Sequence, residues 1–152
     1  MLVGVISDTH GLLRPEAVQT LEGCALIVHA GDVGSPDVLS ALKDLAPVHA
    51  VRGNIDQEPW ARSLPPAAWV SAGKARFYVL HQLPQLDPAA IDDRCAAVIY
   101  GHSHKPSAEY RGPVLYLNPG SAGPRRFQLP VTLARIEVAG ASLAGYEIVT
   151  LA

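Results

Sequence analysis

Leu2-Val3-Gly4-Val5-Ile6-Ser7-Asp8-Thr9-His10-Gly11 opens the chain with an apolar run that turns polar at Ser7. A run without alternation is the pattern of a strand buried on both faces. Pro15–Leu21 reads as a helix, with Pro15 suited to its first turn. Leu26–Ala30 is a second buried run and stops at Gly31-Asp32. Ser35 then caps a helix that has Pro36 at its first position. Its apolar residues Val38, Leu39, Leu42 and Leu45 keep helical spacing. Val48–Val51 is a third run and leads to Gly53-Asn54. This β-α-β-α-β order predicts parallel strands joined by right-handed crossovers, and so an α/β fold.

Beyond residue 58 the pattern changes. Pro59–Pro66 reads as a loop or short helical turn. Trp69–Ala72 and Arg76–His81 read as strands joined at Gly73-Lys74. Pro88–Asp92 suits a short helix, and Ala97–Tyr100 is another buried strand ending at Gly101. Ala108–Arg111 pairs with Val114–Leu117 around Gly112-Pro113, and Val131–Val138 pairs with Leu143–Leu151 around Gly140. The second half is expected to be strand-rich and antiparallel.

The composition is that of one folded domain over residues 1–152. It is 49% hydrophobic and 17% charged, which excludes disorder. A net charge of -2 argues against stable nucleic-acid binding. The only two cysteines, Cys24 and Cys95, stand beside small apolar residues and read as buried thiols. No apolar run approaches the ~20 residues of a membrane span. The first residues carry no basic leader, so a cytoplasmic chain is expected.

The polar clusters carry the chemistry. They are Asp8-Thr9-His10, Gly31-Asp32, Gly53-Asn54 and Gly101-His102-Ser103-His104, with His81 ending a fifth apolar run. In an open parallel sheet, ligands bind at the carboxyl ends of the strands. Asp8, His10, Asp32 and Asn54 should therefore meet along one edge. Residues i and i+2 of an extended segment point to the same side, so Asp8 with His10, and His102 with His104, can each grip one ion. The mixture of imidazole, carboxylate and amide suits a pair of divalent first-row metals. Asp32 is the candidate bridge between them, through its two oxygens. Against two such ions, Asp8, Asp32 and one hydroxide leave a single positive charge, which favours an anionic phosphate oxygen.

Ile6-Ser7-Asp8-Thr9-His10-Gly11, Ala30-Gly31-Asp32, Val51-Arg52-Gly53-Asn54, His81 and Gly101-His102-Ser103-His104, taken in order, resemble the calcineurin-like metallophosphoesterases. Asn118-Pro119-Gly120-Ser121 with Pro124-Arg125 is similar to their small single-domain phosphodiesterase branch. The resemblance implies a four-layer α-β-β-α sandwich of two mixed sheets. It implies one metal held by Asp8, His10, Asp32 and His104, and another held by Asp32, Asn54, His81 and His102. Asp32, Asn54 and His102 are the candidate catalytic residues. The implied cofactor is two divalent ions, Mn²⁺ first, with Ni²⁺, Fe²⁺, Co²⁺ or Zn²⁺ also suiting the donors. The implied reaction is hydrolysis of a phosphodiester by in-line attack of a bridging hydroxide. The expected substrate is a small phosphoester such as a nucleotide or cyclic nucleotide, and a homo-oligomer is compatible with the sequence. Two alternatives are a phosphomonoesterase or nucleotidase, and an idle scaffold or protein-binding module like the retromer subunit that resembles this branch.

Two positions depart from the wider family. Ile55 stands where larger relatives have a histidine thought to protonate the leaving group, and Asp56 is a weak substitute for it. Gln82 follows His81 where the family usually has glycine, and could crowd the second metal or bond to substrate. His29 and His49 read as packed, hydrogen-bonded residues. Arg52, Arg125 and Arg126 read as surface or supporting charges, and Trp60 and Trp69 as packing.

Overall fold

The computed structural model describes residues 1–152. Strands β1 (Leu2–Ile6), β2 (Leu26–His29) and β3 (Val48–Ala50) run parallel, with Val5 opposite Val28 and Val28 opposite His49. Helix α1 (Pro15–Leu21) joins the first two strands and α2 (Pro36–Lys43) the next two. Pro begins each helix, and the Ser35 hydroxyl accepts the Asp37 N–H as the sequence predicts. Leu45 falls just beyond α2. Two further strands, β9 (Thr132–Ala139) and β10 (Ser142–Thr150), extend the sheet antiparallel from β1, giving the order β10-β9-β1-β2-β3.

The second sheet contains β4 (Ala67–Ala72), β5 (Ala75–Leu80), β6 (Cys95–Ile99), β7 (Ser107–Arg111) and β8 (Val114–Asn118), in the order β4-β5-β6-β8-β7. Only its edge pairs are antiparallel. The expectation of an antiparallel second half is corrected here, because β5, β6 and β8 are parallel. The reason is burial on both faces: Ala97, Val98 and Ile99 are all fully buried. The crossover from β5 to β6 is made of short 3₁₀ turns, Leu83–Gln85 and Pro88–Ala90, so it lacks the helical pattern that usually signals one. The helix expected at Pro88–Asp92 is the second of those turns.

The two sheets pack face to face. Val3, Val5, Val28 and Ile136 meet Phe77, Val79, Ile99 and Leu117 between them. On the outer face of the first sheet, Ile6, Ile27 and Leu133 pack against Ala17 and Leu21 of α1 and Val38, Leu39 and Leu42 of α2. On the outer face of the second sheet, Leu80 and Val98 are covered by Leu83, Leu86 and Ile91 of the 3₁₀ crossover. The expected sandwich of two mixed sheets is present, and its fourth layer is 3₁₀ rather than α-helical. Trp60 packs against the helical side. Trp69 lies edge-on to Tyr78, under the Arg76 guanidinium. Cys24 and Cys95 are free, buried thiols. No helix is long and apolar enough to cross a membrane.

This topology gathers carboxyl ends. β1, β2 and β3 of one sheet and β5, β6 and β8 of the other each release their loops beside the same opening. His29, the last residue of β2, is fully buried among these loops. Its Nδ1 accepts the Gly31 N–H at 3.1 Å, so its Nε2–H is the donor to Thr9 Oγ1 at 3.0 Å. His49 is exposed on edge strand β3, which corrects the reading of it as packed.

Burial pushes the His29 imidazole down to about 4. Its folded pKa lies below the unfolded value, so the unfolded chain binds the proton first as pH falls below 6.5. Stability is therefore lost between pH 6.5 and 4, by up to about 3 kcal/mol. Urea unfolding of metal-free protein across that window should show a shallower decline for His29→Gln than for wild type. Parallel declines would refute a buried neutral His29.

Candidate metal centre

Five of these loops, those after β1, β2, β3, β5 and β6, bring all seven predicted side chains together. Asp8, His10 and His104 form one group, and Asp32, His81 and His102 form another; within each, the ligand atoms lie within 4.8 Å of one another. The groups meet at Asp32, whose Oδ2 is 3.5 Å from His10 Nε2 and 3.3 Å from His81 Nε2. Asp8 Oδ1 is 3.4 Å from His104 Nε2 and 3.8 Å from both His10 Nε2 and His81 Nε2. Asn54 joins the second group through Oδ1, 3.1 Å from His102 Nδ1.

Each carboxylate uses one oxygen to hold itself in place. Asp8 Oδ2 accepts the Ser7 hydroxyl at 2.7 Å and the His102 N–H at 3.1 Å, leaving Oδ1 buried without a partner. Asp32 Oδ1 accepts the Ile55 N–H at 3.1 Å, so Oδ2 alone faces both histidines. Of the two oxygens expected to serve a bridge, one is thus engaged by the backbone and the other is turned toward the histidines. The histidines are prepared in the same way. His81 Nδ1 sits 2.7 Å from the Ala30 carbonyl and must donate to it, so in the neutral imidazole Nε2 carries the lone pair. His10 Nε2, His81 Nε2 and His104 Nδ1 are buried and unpartnered. Gln82 does not fill that gap: His81 Nε2 stays free, and Gln82 has extended backbone (φ -115°) that needs no glycine.

The charges follow from this geometry. Burial alone would raise the Asp8 carboxyl, but the close imidazoles of His10, His104 and His81, with the Ser7 hydroxyl, hold it far below the usual carboxylate range. Asp32 is lowered in the same way: burial opposes the shift, and the His81 contact and the Ile55 N–H outweigh it. His81 is raised, since the contacts with Asp32 and Asp8 overcome its own burial. The pocket thus keeps two ionised carboxylates in low-dielectric surroundings and pulls positive charge toward them.

The backbone is forced into unusual shapes to achieve this. Asp8, His10, Asp32, His102 and His104 all have φ between +47° and +74°. Only one other non-glycine residue does, Phe127. Such conformations cost of order 1–3 kcal/mol each and gather at functional sites. Glycine is required where these loops touch. A Cβ at Gly53 would overlap the Asp32 backbone and carboxylate, and one at Gly101 would lie 2.6 Å from Asp8 Oδ2.

Asp56 has a role that sequence reasoning missed. It is buried, and its carboxylate accepts three backbone N–H bonds, from Val33 (3.1 Å), Gly34 (3.0 Å) and Gly53 (2.9 Å). It staples the Asp32 loop to the Asn54 loop, so it is not the substitute acid considered above. Its only signal in the sequence is that Asp favours such turns. On the far side, the Asn118 amide bonds Gly101 O and Ser103 Oγ, and Ser121 Oγ donates to Asp8 O. Arg125 and Arg126 line a cleft beside His10 and His104.

A model of the calcineurin-like phosphoesterase superfamily domain matches residues 1–141. The chain belongs to that superfamily. A probable metallophosphoesterase of Methanothermobacter thermautotrophicus is 35% identical over 150 residues, covering 90% of this chain and 87% of that protein. A solved archaeal phosphodiesterase superposes with a TM-score of 0.81 at 25% identity, covering 99% of this chain and 100% of that one. Wild-type Vps29 of Entamoeba histolytica, in complex with zinc, gives 0.76 at 24% over the whole of both chains, a likeness of fold. The superfamily is one of metal-dependent phosphoesterases, and the unpartnered nitrogen and oxygen atoms around Asp32 are donors that fit divalent cations.

Asp56→Asn should loosen both ligand loops. We expect a stability loss of about 2 kcal/mol and a 10–100-fold weaker Mn²⁺ affinity, read by denaturant unfolding and calorimetric titration. Wild-type Mn²⁺ affinity in this variant would show that Asp56 does not position the site.

Proposed function

We propose that this chain is a dinuclear metal-dependent phosphodiesterase. The observation that carries the reading is the group of buried, unpartnered atoms Asp8 Oδ1, His10 Nε2 and His81 Nε2, with His104 Nε2 3.4 Å from Asp8 Oδ1. Each unsatisfied buried polar atom costs about 1–3 kcal/mol, a penalty that cations lift. Asp8, His10, Asp32 and His104 would hold one ion. Asp32, Asn54, His81 and His102 would hold the other, with Asp32 common to both. Oxygen and imidazole donors suit Mn²⁺, and also Ni²⁺, Fe²⁺, Co²⁺ or Zn²⁺. The bound pair supplies Lewis acidity to a phosphoryl oxygen and makes a water molecule acidic near neutral pH.

The protein's own contribution is positional. Ser7, the His102 N–H and the Ile55 N–H fix the two carboxylates, so they need not reorganise as charge develops on phosphorus. Asn54 and His102, both exposed at the mouth, are the side chains that meet the substrate. The attacking oxygen approaches phosphorus opposite the leaving oxygen. Ile55 has no proton to give and Asp56 is fully engaged, so this loop offers no general acid to that leaving oxygen. Positioned acids contribute about 10²–10⁴-fold, so activated diesters should be much better substrates than alkyl ones.

A scaffold of the same fold is the second reading, drawn from the likeness to Vps29. The completeness of the seven converging polar side chains favours the enzyme. A monoesterase or nucleotidase ranks lower, because the chain has no inserted cap to fix a nucleobase.

The test is reconstitution. Metal-free protein given Mn²⁺ should hydrolyse an aryl phosphodiester faster than the matching monoester, and far faster than a dialkyl diester. Asp32→Asn should abolish turnover and weaken binding of both ions. No Mn²⁺-dependent hydrolysis of either aryl ester would sink the enzyme reading. Faster monoester turnover would sink the diesterase preference.

A further inference from the structure

The loop from Pro119 to Pro130 joins β8 to β9 and passes the Asp8 group. Its first part is fixed. Ala122 N–H donates to Ser7 O at 3.1 Å, Ser121 Oγ to Asp8 O at 3.0 Å, and Arg14 Nε to Gly123 O at 3.1 Å. Gly123 packs directly on the Thr9 carbonyl. The next five residues, Pro124–Gln128, are exposed. Between them and the metal-site histidines lies a cleft of about 140 Å³, lined by His10, His104, Pro124, Arg125 and Arg126.

The cleft's charge is one-sided. No carboxylate lines it. Arg125 gives Nη1 to Leu129 O at 3.2 Å, and the Arg126 guanidinium has no hydrogen bond or ion pair. The loop on the Asp32 side is different: the exposed residues from Gly53 to Glu58 are Asn54, Ile55, Gln57 and Glu58, with no cation among them. A phosphodiester carries one negative charge, and the metal pair meets it. Two further guanidinium groups beside the first ion are surplus to that charge. They match a second anion, and the planar fork of arginine fits the oxygens of a phosphate dianion.

We propose that Arg125 and Arg126 form a second phosphate subsite, and that the preferred substrate is a phosphodiester carrying a terminal phosphomonoester. This deepens the diesterase reading and rests on it. The phosphorylated arm lies along the Asp8, His10 and His104 side. The leaving arm lies over Ile55, which is 42% exposed and apolar.

The probes are two dialkyl phosphodiesters that differ only in a terminal phosphate, slow enough to hydrolyse that binding can be read. Calorimetric titration into Mn²⁺-loaded protein should show the phosphorylated one binding roughly ten-fold or more tightly. Arg126→Gln should bring that ratio toward one, and Arg126→Lys should restore part of it. Higher salt should also shrink it. A wild-type ratio near one, beside normal turnover of an aryl diester, overturns the subsite and leaves the diesterase standing. A ratio that survives in both Arg126→Gln and an Arg125→Gln/Arg126→Gln double variant also overturns it. Inorganic phosphate that loses affinity in Arg126→Gln, without any gain for the phosphorylated diester, makes this a site for free anions and refutes the substrate assignment. A high ratio without Mn²⁺-dependent turnover of any ester would count against the diesterase, and the cleft would still bind phosphate.

Discussion

Asp8 and Asp32 stand on neighbouring loops with His10 and His81 between their inner oxygens, and most of the local architecture serves to keep these two carboxylates ionised and in place. Like charges this close, largely removed from water, oppose folding. The protein answers with hydrogen bonds to the outer oxygens, from the Ser7 hydroxyl and the His102 and Ile55 N–H groups. That leaves each inner oxygen, Asp8 Oδ1 and Asp32 Oδ2, aimed at the same small volume. The imidazoles are held by the same logic, most clearly His81 through the Ala30 carbonyl. The result is a centre whose shape is set by the strands and whose charge is left uncompensated by the chain.

That centre could not be built on regular backbone. Six parallel strands end within reach of one another, and their loops must turn at once to direct side chains inward. The left-handed φ values of Asp8, His10, Asp32, His102 and His104 are the local cost of those turns. The rigid sheets repay it, since Val3, Val5, Phe77, Ile99 and Leu117 are fully buried between them. Asp56 completes the support by tying together two loops that have no sheet hydrogen bonds of their own.

Much of this was legible in the residues. The parallel β1, β2 and β3 followed from unbroken apolar runs, and the convergence of the seven polar side chains followed from their placement after those runs. The parallel centre of the second sheet was not legible, because a crossover built of 3₁₀ turns leaves no helical period. His49 was misread because a strand of three residues at a sheet edge has the same apolar neighbours as a buried one. Asp56 and the single facing oxygen of Asp32 depend on backbone N–H groups, which carry no sequence signature. The strained φ values were hidden too, since Asp and His are enriched in left-handed turns but adopt them in only a small minority of positions.

Fold alone does not decide function here, because Vps29 shares the architecture at 24% identity. The deciding evidence is where the chain breaks the ordinary rules of stability. A chain selected only to present a surface would gain by burying leucine where His81 is, or by relaxing Asp32 to an ordinary turn. This one retains unsatisfied nitrogen and oxygen atoms, paired carboxylates and five left-handed backbones in a single place. Violations that coincide so closely are expected where a ligand supplies the missing compensation. Their chemistry narrows the class of ligand. Oxygen and imidazole donors gathered in two groups that meet at Asp32 fit divalent cations, the class of cofactor on which this superfamily depends.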